Sequence, residues 1–509
     1  MLRRLRNLAP NAVGMPVLLA TGRCLWSPGV EQKHGKAAPP SERIFKDRPC
    51  SVCVMNSSYA GSTSSTAAVD VQRCSPHFWM KDSDRFTFKV VDLPKATAES
   101  KISELIKSGK YDVFVNLCDG STYEDRAGPG VLLALESNAA AYTGSEPWCF
   151  ETSKPDMKRL LLDSSVVKCP QSATIPTALK EDEVSVAALC RHLKLPVLVK
   201  QPAGLASIGM KADSLCQSLG DLMKELKRFP PEGSGPDGLL VEEFISGGEV
   251  TVFVTEGPDG KPHVFPPVGI KLDTPDTFLH FDEKWNEKMC VMSRAYRFSN
   301  PDQADLVKKL QLAAADVFIK IMGGTGYGRC DFRIDATTGE PYFLEINPNC
   351  GLFYPWDATD PNGPHKEWMH GDFADMAILL DPSWSHEDFI KHQIEGALRR
   401  QAEKKQWWNA TMNTVEAVDD VDAGSVLFGT KKRPVSLELL KLGRRDATST
   451  VQDVAIFRRA DGVIGMSYAP IRIYDGTCDV NCELAALPTT HIRTTKPIKS
   501  GEELVLRVS

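Results

Sequence analysis

The chain has 509 residues and contains neither the phosphate-binding pattern G-x-x-x-x-G-K-[ST] nor the zinc-binding pattern H-E-x-x-H. It also has no G-x-S-x-G at the end of a predicted strand, where a serine hydrolase of the α/β class places its nucleophile. Each of these patterns reflects a geometry that the chemistry requires. Their absence argues against a P-loop kinase, a zincin protease and a serine hydrolase.

The sequence also lacks long apolar runs and blocks of basic residues. No run reaches about 18 uncharged apolar residues, the length that a membrane-spanning helix needs. The formal net charge is −6, so no basic face is offered to a phosphate backbone. We therefore expect neither a membrane nor a nucleic acid as a partner.

Cysteine is not scarce, but the 14 cysteines are scattered and follow no secretory signal. This usage favours reduced thiols and predicts no disulfides. Cys50 and Cys53 form a C-x-x-C, and Cys478 and Cys482 lie in CDVNC, yet neither pair has a partner pair at zinc-finger spacing. We interpret all four as ordinary strand and loop cysteines.

Acidic residues are missing from the first thirty positions, which contain four arginines among small and apolar residues. Such a composition is typical of organellar presequences. We therefore predict that residues 1–40 are a leader that directs import into a mitochondrial or plastid matrix. The alternative is an untargeted leader on a cytoplasmic protein.

From Pro49 onward, strand and helix patterns alternate. CSVCVMNSS and YDVFVNLCDG predict buried strands, and TAESKISELIKSGK between them predicts a helix. The last long helix is predicted in SWSHEDFIKHQIEGALRRQAEKKQ, with Ser385 and Asp388 spaced as a capping box. The predicted divisions are an N-terminal α/β domain at residues 49–150, a second region at 151–248, a third at 249–408 and a small β domain at 409–509.

The stretch GRCDFRIDATTGEPYFLEINPNCG predicts a β-hairpin that carries oxygen-bearing side chains. Side chains alternate between the faces of a strand, so Glu345 and Asn347 share one face. Asp331 joins that face if the two arms pair across ATTGEP. Two carboxylates and an amide oxygen suit Mg²⁺, which prefers oxygen ligands and usually completes its shell with substrate phosphates. The alternative is a solvated polar face of a hairpin.

Upstream of the hairpin, Lys154, Lys200 and Lys284 each lie beside a predicted loop or strand end, and Glu242 and Glu249 flank EFISGG. Taken singly, each would be a solvated surface charge. Their order along the chain, followed by Arg329 and the hairpin residues, resembles the ATP-grasp superfamily and most closely its D-alanine:D-alanine ligase branch. The resemblance is strong from Val199 to Gly351 and extends back to Asp112.

This resemblance implies an α/β fold of the ATP-grasp type, with a Rossmann-like N-terminal domain followed by two α+β subdomains that hold ATP between them. It implies small-molecule carboxylate and amine substrates, and the family's habit of dimerising allows a homodimer. The residues that it assigns are Lys154, Lys200, Glu242, Glu249 and Lys284 for the nucleotide; Asp331, Glu345 and Asn347 for two Mg²⁺ ions, which Mn²⁺ can replace; and Arg329, Gly351 and Ser207, in a mobile loop, for catalysis.

The substrate loops depart from the family pattern. The family usually has a glutamate after its first strand to hold the first substrate's amino group, but NSSYAGSTSST contains no acid. Trp285 stands where the family has a tyrosine, and Trp356 where it has a serine. The acid and amine substrates therefore stay open.

The tail resembles a SET domain more weakly. AVDDVDAGSVLF is similar to the opening strands of that family, and CDVNCELAALPTTHIRTTKPIKSGEELVLRV to its closing part. The family's Asn-His pair aligns with Asp475 and Gly476, and no tyrosine follows GEEL. We therefore interpret residues 409–509 as a SET-like β domain without methyl-transfer chemistry.

The resemblance to the D-alanine:D-alanine ligases implies an ATP- and Mg²⁺-dependent ligase that joins a carboxylate to an amine through an acyl phosphate. Such a reaction depends on positioning and charge neutralisation more than on a protein nucleophile. The alternative is a nucleotide-binding scaffold or regulator that has lost its chemistry. A SET-type protein methyltransferase is a distant third interpretation.

Overall fold

The structure is a computed structural model. It describes residues 48–61, 74–80, 84–122, 125–202, 210–211, 214–229, 238–258, 260–274, 277–279, 294–355 and 371–410, and beyond these only short strands between residues 428 and 507. The predicted leader, Ser207, Lys284, Trp285 and Trp356 lie outside the described residues. Within this part of the chain, no helix is long and apolar enough to cross a membrane.

The N-terminal part is a parallel sheet covered by helices. Its elements are β1 (Cys50–Ser58), β2 (Phe86–Pro94), α1 (Ala98–Lys107), β3 (Val113–Asn116), α2 (Pro129–Ser137) and the short α3 (Pro147–Phe150). The strand order is β2-β1-β3. β1 is apolar on both faces because one face packs on α1 and α2 and the other joins the core of the C-terminal sheet.

The central part is an antiparallel sheet of four strands with helices on one face. Its elements are α4 (Lys154–Leu160), β4 (Ser172–Ile175), α5 (Glu183–Cys190), β5 (Val197–Lys200), β6 (Leu215–Cys216), α6 (Leu219–Arg228) and β7 (Leu239–Glu243). The strand order is β4-β7-β5-β6. Ser218 begins α6 as an N-cap that accepts a hydrogen bond from the backbone N–H of Asp221. Val186, Leu222 and Leu226 pack against the strands.

The C-terminal sheet has the order β11-β10-β8-β12-β13, and β9 pairs with β8. Its strands are β8 (Gly247–Glu256), β9 (Pro262–Val264), β10 (Val268–Ile270), β11 (Ala295–Arg297), β12 (Tyr327–Asp335) and β13 (Pro341–Pro348), and its helices are α7 (Ala304–Met322), α8 (Phe373–Leu380) and α9 (His386–Ala410). One face of β8, β12 and β13 packs on α7. The other face carries the polar side chains of the predicted hairpin and, towards α8 and α9, an apolar core.

Several helix ends follow the sequence signals. PDQADLVKKLQLAAADVFIKIMGG predicts a helix with a C-cap at its two glycines. α7 ends at Met322, and its C-cap Gly323 has φ of +66°, the left-handed conformation that favours glycine at a helix C-terminus. Ser385 and Asp388 form the predicted reciprocal cap, since the backbone N–H of each donates to the side chain of the other at 3.0 to 3.1 Å. These caps confirm two of the predicted helix boundaries.

Other details differ from the sequence prediction. β2 and β4 were not predicted, because β2 is a mostly half-exposed edge strand and β4 has only four residues. The sequence predicts a helix around Leu215 to Leu226, but α6 begins at Leu219, since Leu215 and Cys216 pair with β5. The ten cysteines of the described chain are free thiols, as predicted. In the tail, the described short strands run from Phe428–Thr430 to Val505–Arg507 and lie in one two-stranded and one seven-stranded sheet. A SET-like fold stays a prediction.

Candidate functional site

The hairpin of β12 and β13 aligns four polar residues on one face. Asp331 lies opposite Glu345 and Arg329 lies opposite Asn347 in the antiparallel register. A β-bulge follows Asp331, so the regular pairing is interrupted just beyond the polar group. The predicted pairing across the ATTGEP turn is therefore confirmed.

Asp331 is the centre of this group. Its carboxylate accepts hydrogen bonds from Asn347 Nδ2 at 3.0 Å, from Thr251 Oγ1 at 2.8 Å and from Arg329 Nε at 3.2 Å. Thr251 lies opposite Asp331 on β8, which extends the polar face over a third strand. The side chains of Asp331 and Glu345 keep about a quarter and a fifth of their surfaces exposed. The face is thus fixed by hydrogen bonds yet open to a ligand.

The donor chemistry of this face fits a hard cation. It provides the carboxylates of Asp331 and Glu345 and the amide of Asn347, which are oxygen donors of the kind that Mg²⁺ prefers. Among the described residues there is no group of three or more His, Cys, Asp and Glu side chains that could hold a metal. A cation here would therefore need the amide and substrate oxygens in addition to the two carboxylates.

Lys154 connects the hairpin to the central part of the fold. Lys154 is the first residue of α4, and its Nζ lies 2.8 Å from Glu345 Oε2 on β13. Two contacts set its place: Ser153 caps α4 by accepting from the backbone N–H of Asp156, and the Lys154 N–H donates to the Pro202 carbonyl at 2.9 Å. A lysine predicted to bind phosphate thus lies against a predicted metal ligand.

Glu242 and Lys200 are brought together on adjacent strands. Lys200 Nζ lies 2.5 Å from Glu242 Oε1, and Lys158 Nζ lies 2.6 Å from Oε2 of the same carboxylate. Burial disfavours the charge of Glu242, but the two lysines more than offset this effect and lower its pKa to about 2. Lys158 was not predicted. Its i, i+4 spacing from Lys154 on α4 was the signal that could have identified it.

Glu249 lies at the other end of the same sheet face. It accepts a hydrogen bond from Arg333 Nη1 at 2.9 Å, and the two residues are opposite each other on β8 and β12. Arg333 is buried and also donates to the carbonyls of Ile245 and Gly247. Glu249 is therefore held in place by Arg333, which was not among the predicted site residues.

Gly351 follows β13 and lies against Asp372, the N-cap of α8. A Cβ at Gly351 would fall 2.3 Å from Asp372 Oδ2, so only glycine fits without a shift. Arg329 Nη1 lies 3.9 Å from the same oxygen. Burial raises the pKa of Asp372 to about 6, although Arg329 opposes that shift. Asp372 was not predicted, and no sequence signal near it indicates this contact.

Most of the predicted site residues within the described part of the chain fall into three groups. The first is the hairpin face with Lys154, the second is the buried group of Glu242 with Lys158 and Lys200, and the third is Gly351 with Arg329 and Asp372. Glu249 lies on the hairpin's sheet face but pairs with Arg333. The roles assigned to these side chains stay predictions.

Several known proteins that resemble this chain in sequence are D-alanine–D-alanine ligases. The family described as "D-ala D-ala ligase C-terminus" matches residues 170–354, which include the hairpin, Gly351, Lys200 and the Glu242 strand. A D-alanine–D-alanine ligase of Idiomarina loihiensis is 30% identical over 266 residues, covering 50% of this chain and 75% of that protein. One of Laribacter hongkongensis is 28% identical over 258 residues, covering 50% and 74%.

Solved structures of the same kind of enzyme are also similar. The D-alanine-D-alanine ligase of Coxiella burnetii has a TM-score of 0.46 and 16% sequence identity, and the match covers 70% of this chain and 97% of that chain.

Proposed function

Because the chain belongs to the D-alanine–D-alanine ligase family, whose members are ATP-dependent ligases that form C–N bonds, we propose that it joins a carboxylate to an amine. The proposed reaction has two steps. A substrate carboxylate oxygen first attacks the γ-phosphorus of ATP, giving an acyl phosphate and ADP. The amine then attacks the acyl carbon, and inorganic phosphate leaves as the C–N bond forms and the amine loses a proton.

One observation carries this proposal: the hairpin face presents Asp331, Glu345 and Asn347 together, with Asn347 hydrogen-bonded to Asp331 and Lys154 paired with Glu345. Such a group combines oxygen ligands with a phosphate-binding cation. Glu249 lies on β8, the strand that pairs with β12 of the hairpin. This supports a ligase rather than a scaffold, because a chain without chemistry would not need to keep an open carboxylate face.

The proposed work of this chain's residues is mostly electrostatic. Lys154 and Lys200 would leave their carboxylate partners to neutralise the phosphates of the nucleotide, as point charges on flexible stems. Arg329 would hold the acyl phosphate; burial disfavours its charge, but Asp331 and Asp372 keep its pKa above the ordinary value. The backbone N–H of Gly351 would stabilise the negative oxygen of the tetrahedral intermediate.

The remaining proposed roles concern the nucleotide and the metal. Glu242 would lie by the adenine and Glu249 by the ribose, while Ser207 and Lys284 would complete the phosphate site. Asp331, Glu345 and Asn347 would hold two Mg²⁺ ions. Bound Mg²⁺ supplies charge neutralisation to phosphate oxygens.

A phosphate-release screen tests the proposal. The purified chain is incubated with ATP, Mg²⁺ and pools of amino acids of both enantiomers, and phosphate release above the ATP-only rate identifies the substrate pool. The carboxylate substrate is then labelled with ¹⁸O. We expect one ¹⁸O atom to appear in inorganic phosphate, because the acyl phosphate breaks at its C–O bond. Label in AMP, or no stimulation by any carboxylate and amine, would contradict the proposed reaction.

A further inference from the structure

The loop that carries Gly351 ends in an unusual conformation. Phe353 has φ of +60°, the left-handed region that bulky side chains rarely adopt. Its side chain is nevertheless buried in the core shared by the N-terminal and C-terminal sheets. Some other part of the molecule must therefore hold residues 351–355 in this conformation.

Asp375 provides this restraint from the first turn of α8. Its carboxylate accepts hydrogen bonds from the backbone N–H of Phe353 at 2.9 Å and from that of Tyr354 at 3.3 Å. It also accepts the N–H of Asp372 at 3.0 Å, as part of the helix cap, and lies 3.0 Å from His386 Nε2. Asp375 is completely buried and His386 almost so. One carboxylate thus joins the Gly351 loop, the start of α8 and the start of α9.

The opposite side of the loop is held by the N-terminal part of the chain. The Ser75 N–H donates to the Phe353 carbonyl at 2.9 Å, and Trp79 Nε1 donates to the Tyr354 carbonyl at 2.9 Å. The Trp79 ring stacks on His386, with centroids 3.8 Å apart and planes at 9°. The Gly351 loop is therefore tied to a segment of the N-terminal part and to α8 by the same cluster.

We propose that Asp375, with His386 and Trp79, is a positioning residue that fixes residues 351–355 so that the backbone N–H of Gly351 meets the reacting acyl group. These three residues are called the loop brace. The inference rests on the proposed function, because it assigns the brace to the acyl-transfer step. The brace touches the loop and not the residues assigned to ATP, so its loss should lower kcat and leave the KM for ATP nearly unchanged. A displacement of about 1 Å at a reacting centre can cost about 100-fold in rate.

The chain contains a matched control at the other end of α8. Asp381 lies 2.8 Å from His263 Nε2, and the His263 ring stacks on Trp384 with centroids 4.6 Å apart. Like the loop brace, this cluster consists of an aspartate, a histidine and a tryptophan. It connects β9, the end of α8 and the segment before α9. Asp375 and Asp381 are six positions apart in the sequence, so the two clusters are separated by about 9 Å along the helix axis.

The test compares His386→Leu and His386→Gln with the control His263→Leu in the full chain. For each protein we would measure kcat, the KM for ATP, the thermal midpoint, and hydrogen–deuterium exchange of a peptide covering residues 351–355. We expect His386→Leu to lower kcat by about 10- to 100-fold, to change the KM for ATP less than about twofold, and to speed exchange in that peptide. His386→Gln, whose amide nitrogen can replace Nε2, should recover most of the activity.

The control should keep its kcat and its exchange rate in residues 351–355. Equal losses of kcat in His263→Leu and His386→Leu, or unchanged exchange in His386→Leu, would overturn the proposal. If His386→Leu does not fold, Trp79→Phe, which keeps a ring but removes the N–H, takes its place against Trp384→Phe. If the wild-type chain folds but has no ligase activity, the proposed function is contradicted. The loop brace is then tested by the exchange measurement, which does not depend on activity.

Discussion

Lys158 Nζ lies 2.6 Å from a carboxylate oxygen of Glu242, and both side chains are more than 90% buried. Lys200 occupies the other oxygen of the same carboxylate. If Lys200 moves to nucleotide phosphate, as we propose, Lys158 is the partner that stays. A buried carboxylate left without any cation would be costly, so Lys158 allows Lys200 to leave.

Replacing Lys158 by methionine should therefore destabilise the fold. The pKa of Glu242 falls from an ordinary value of 4.5 to about 2, so its contribution to stability is present above about pH 4.5 and is lost as the pH falls towards 2. With one lysine removed, we expect a loss of about 3 kcal/mol at pH 7 and a smaller difference near pH 3. Urea unfolding of both proteins at the two pH values measures this.

The matched control is Lys168→Met. Lys168 also lies 2.8 Å from a glutamate, Glu340, but the lysine is exposed. Exposed ion pairs contribute little, so this variant should unfold like the wild type. An equal loss of stability in both variants would mean that burial does not set the strength of the Glu242 group.

The sequence predicts the site better where the residues are close along the chain. The hairpin could be predicted because alternation along two adjacent strands places Asp331, Glu345 and Asn347 on one face. Asp372 and Asp375 could not, because their contacts with Gly351 and Phe353 depend on how α8 packs after a segment of fifteen residues that the structure does not describe. Local periodicity carries no information about such contacts.

The strands of the N-terminal sheet also differed in how well the sequence predicted them. β1 was predicted at its observed bounds because it is apolar on both faces, as expected of a central parallel strand. β2 was missed because, at the edge of that sheet, half-exposed positions dilute its apolar pattern. A strand could be predicted from the sequence when it lies at the centre of the sheet and not at its edge. One sequence alone does not show which position a strand occupies.

Replacing Glu345 or Asn347 by alanine should abolish Mg²⁺-dependent ATP turnover and leave the fold largely intact. Both side chains lie on the open hairpin face, where they are proposed to bind metal and not to fill a core. Phosphate release at several Mg²⁺ concentrations and a thermal unfolding curve measure the two effects.

Glu340→Ala is the control for this pair. Glu340 lies on the same hairpin, but at its turn, where it pairs with Lys168 and Lys309. It should keep full turnover. Normal Mg²⁺-dependent turnover in both Glu345→Ala and Asn347→Ala would rule out the assigned metal site.

Asp372 should make stability fall as the pH rises. Burial raises its pKa from 3.8 to about 6, so the native state holds a proton that the unfolded state releases between these values. Its contribution is complete below about pH 4 and is lost as the pH rises through 6. Asp372→Asn, which cannot ionise, should therefore gain up to about 3 kcal/mol relative to the wild type between pH 4 and pH 7. A difference in unfolding free energy that stays constant over this range would exclude the effect.

The last prediction is that the chain makes D-alanyl-D-alanine poorly, although its relatives are named for that reaction. The loop after β1 has no carboxylate in NSSYAGSTSST to pair with the ammonium of the first substrate, and a buried charge without a partner costs several kcal/mol. By the resemblance, Trp356 takes the place of a family serine, which would remove a hydroxyl donor and add bulk. Neither change touches the phosphate residues, so ATP binding should persist. D-Alanine, ATP and Mg²⁺ should give little dipeptide by mass spectrometry, while an ATP analogue still binds in a titration. Rapid, saturable dipeptide formation would show that another acid, such as Asp119 or Glu124, replaces the missing carboxylate.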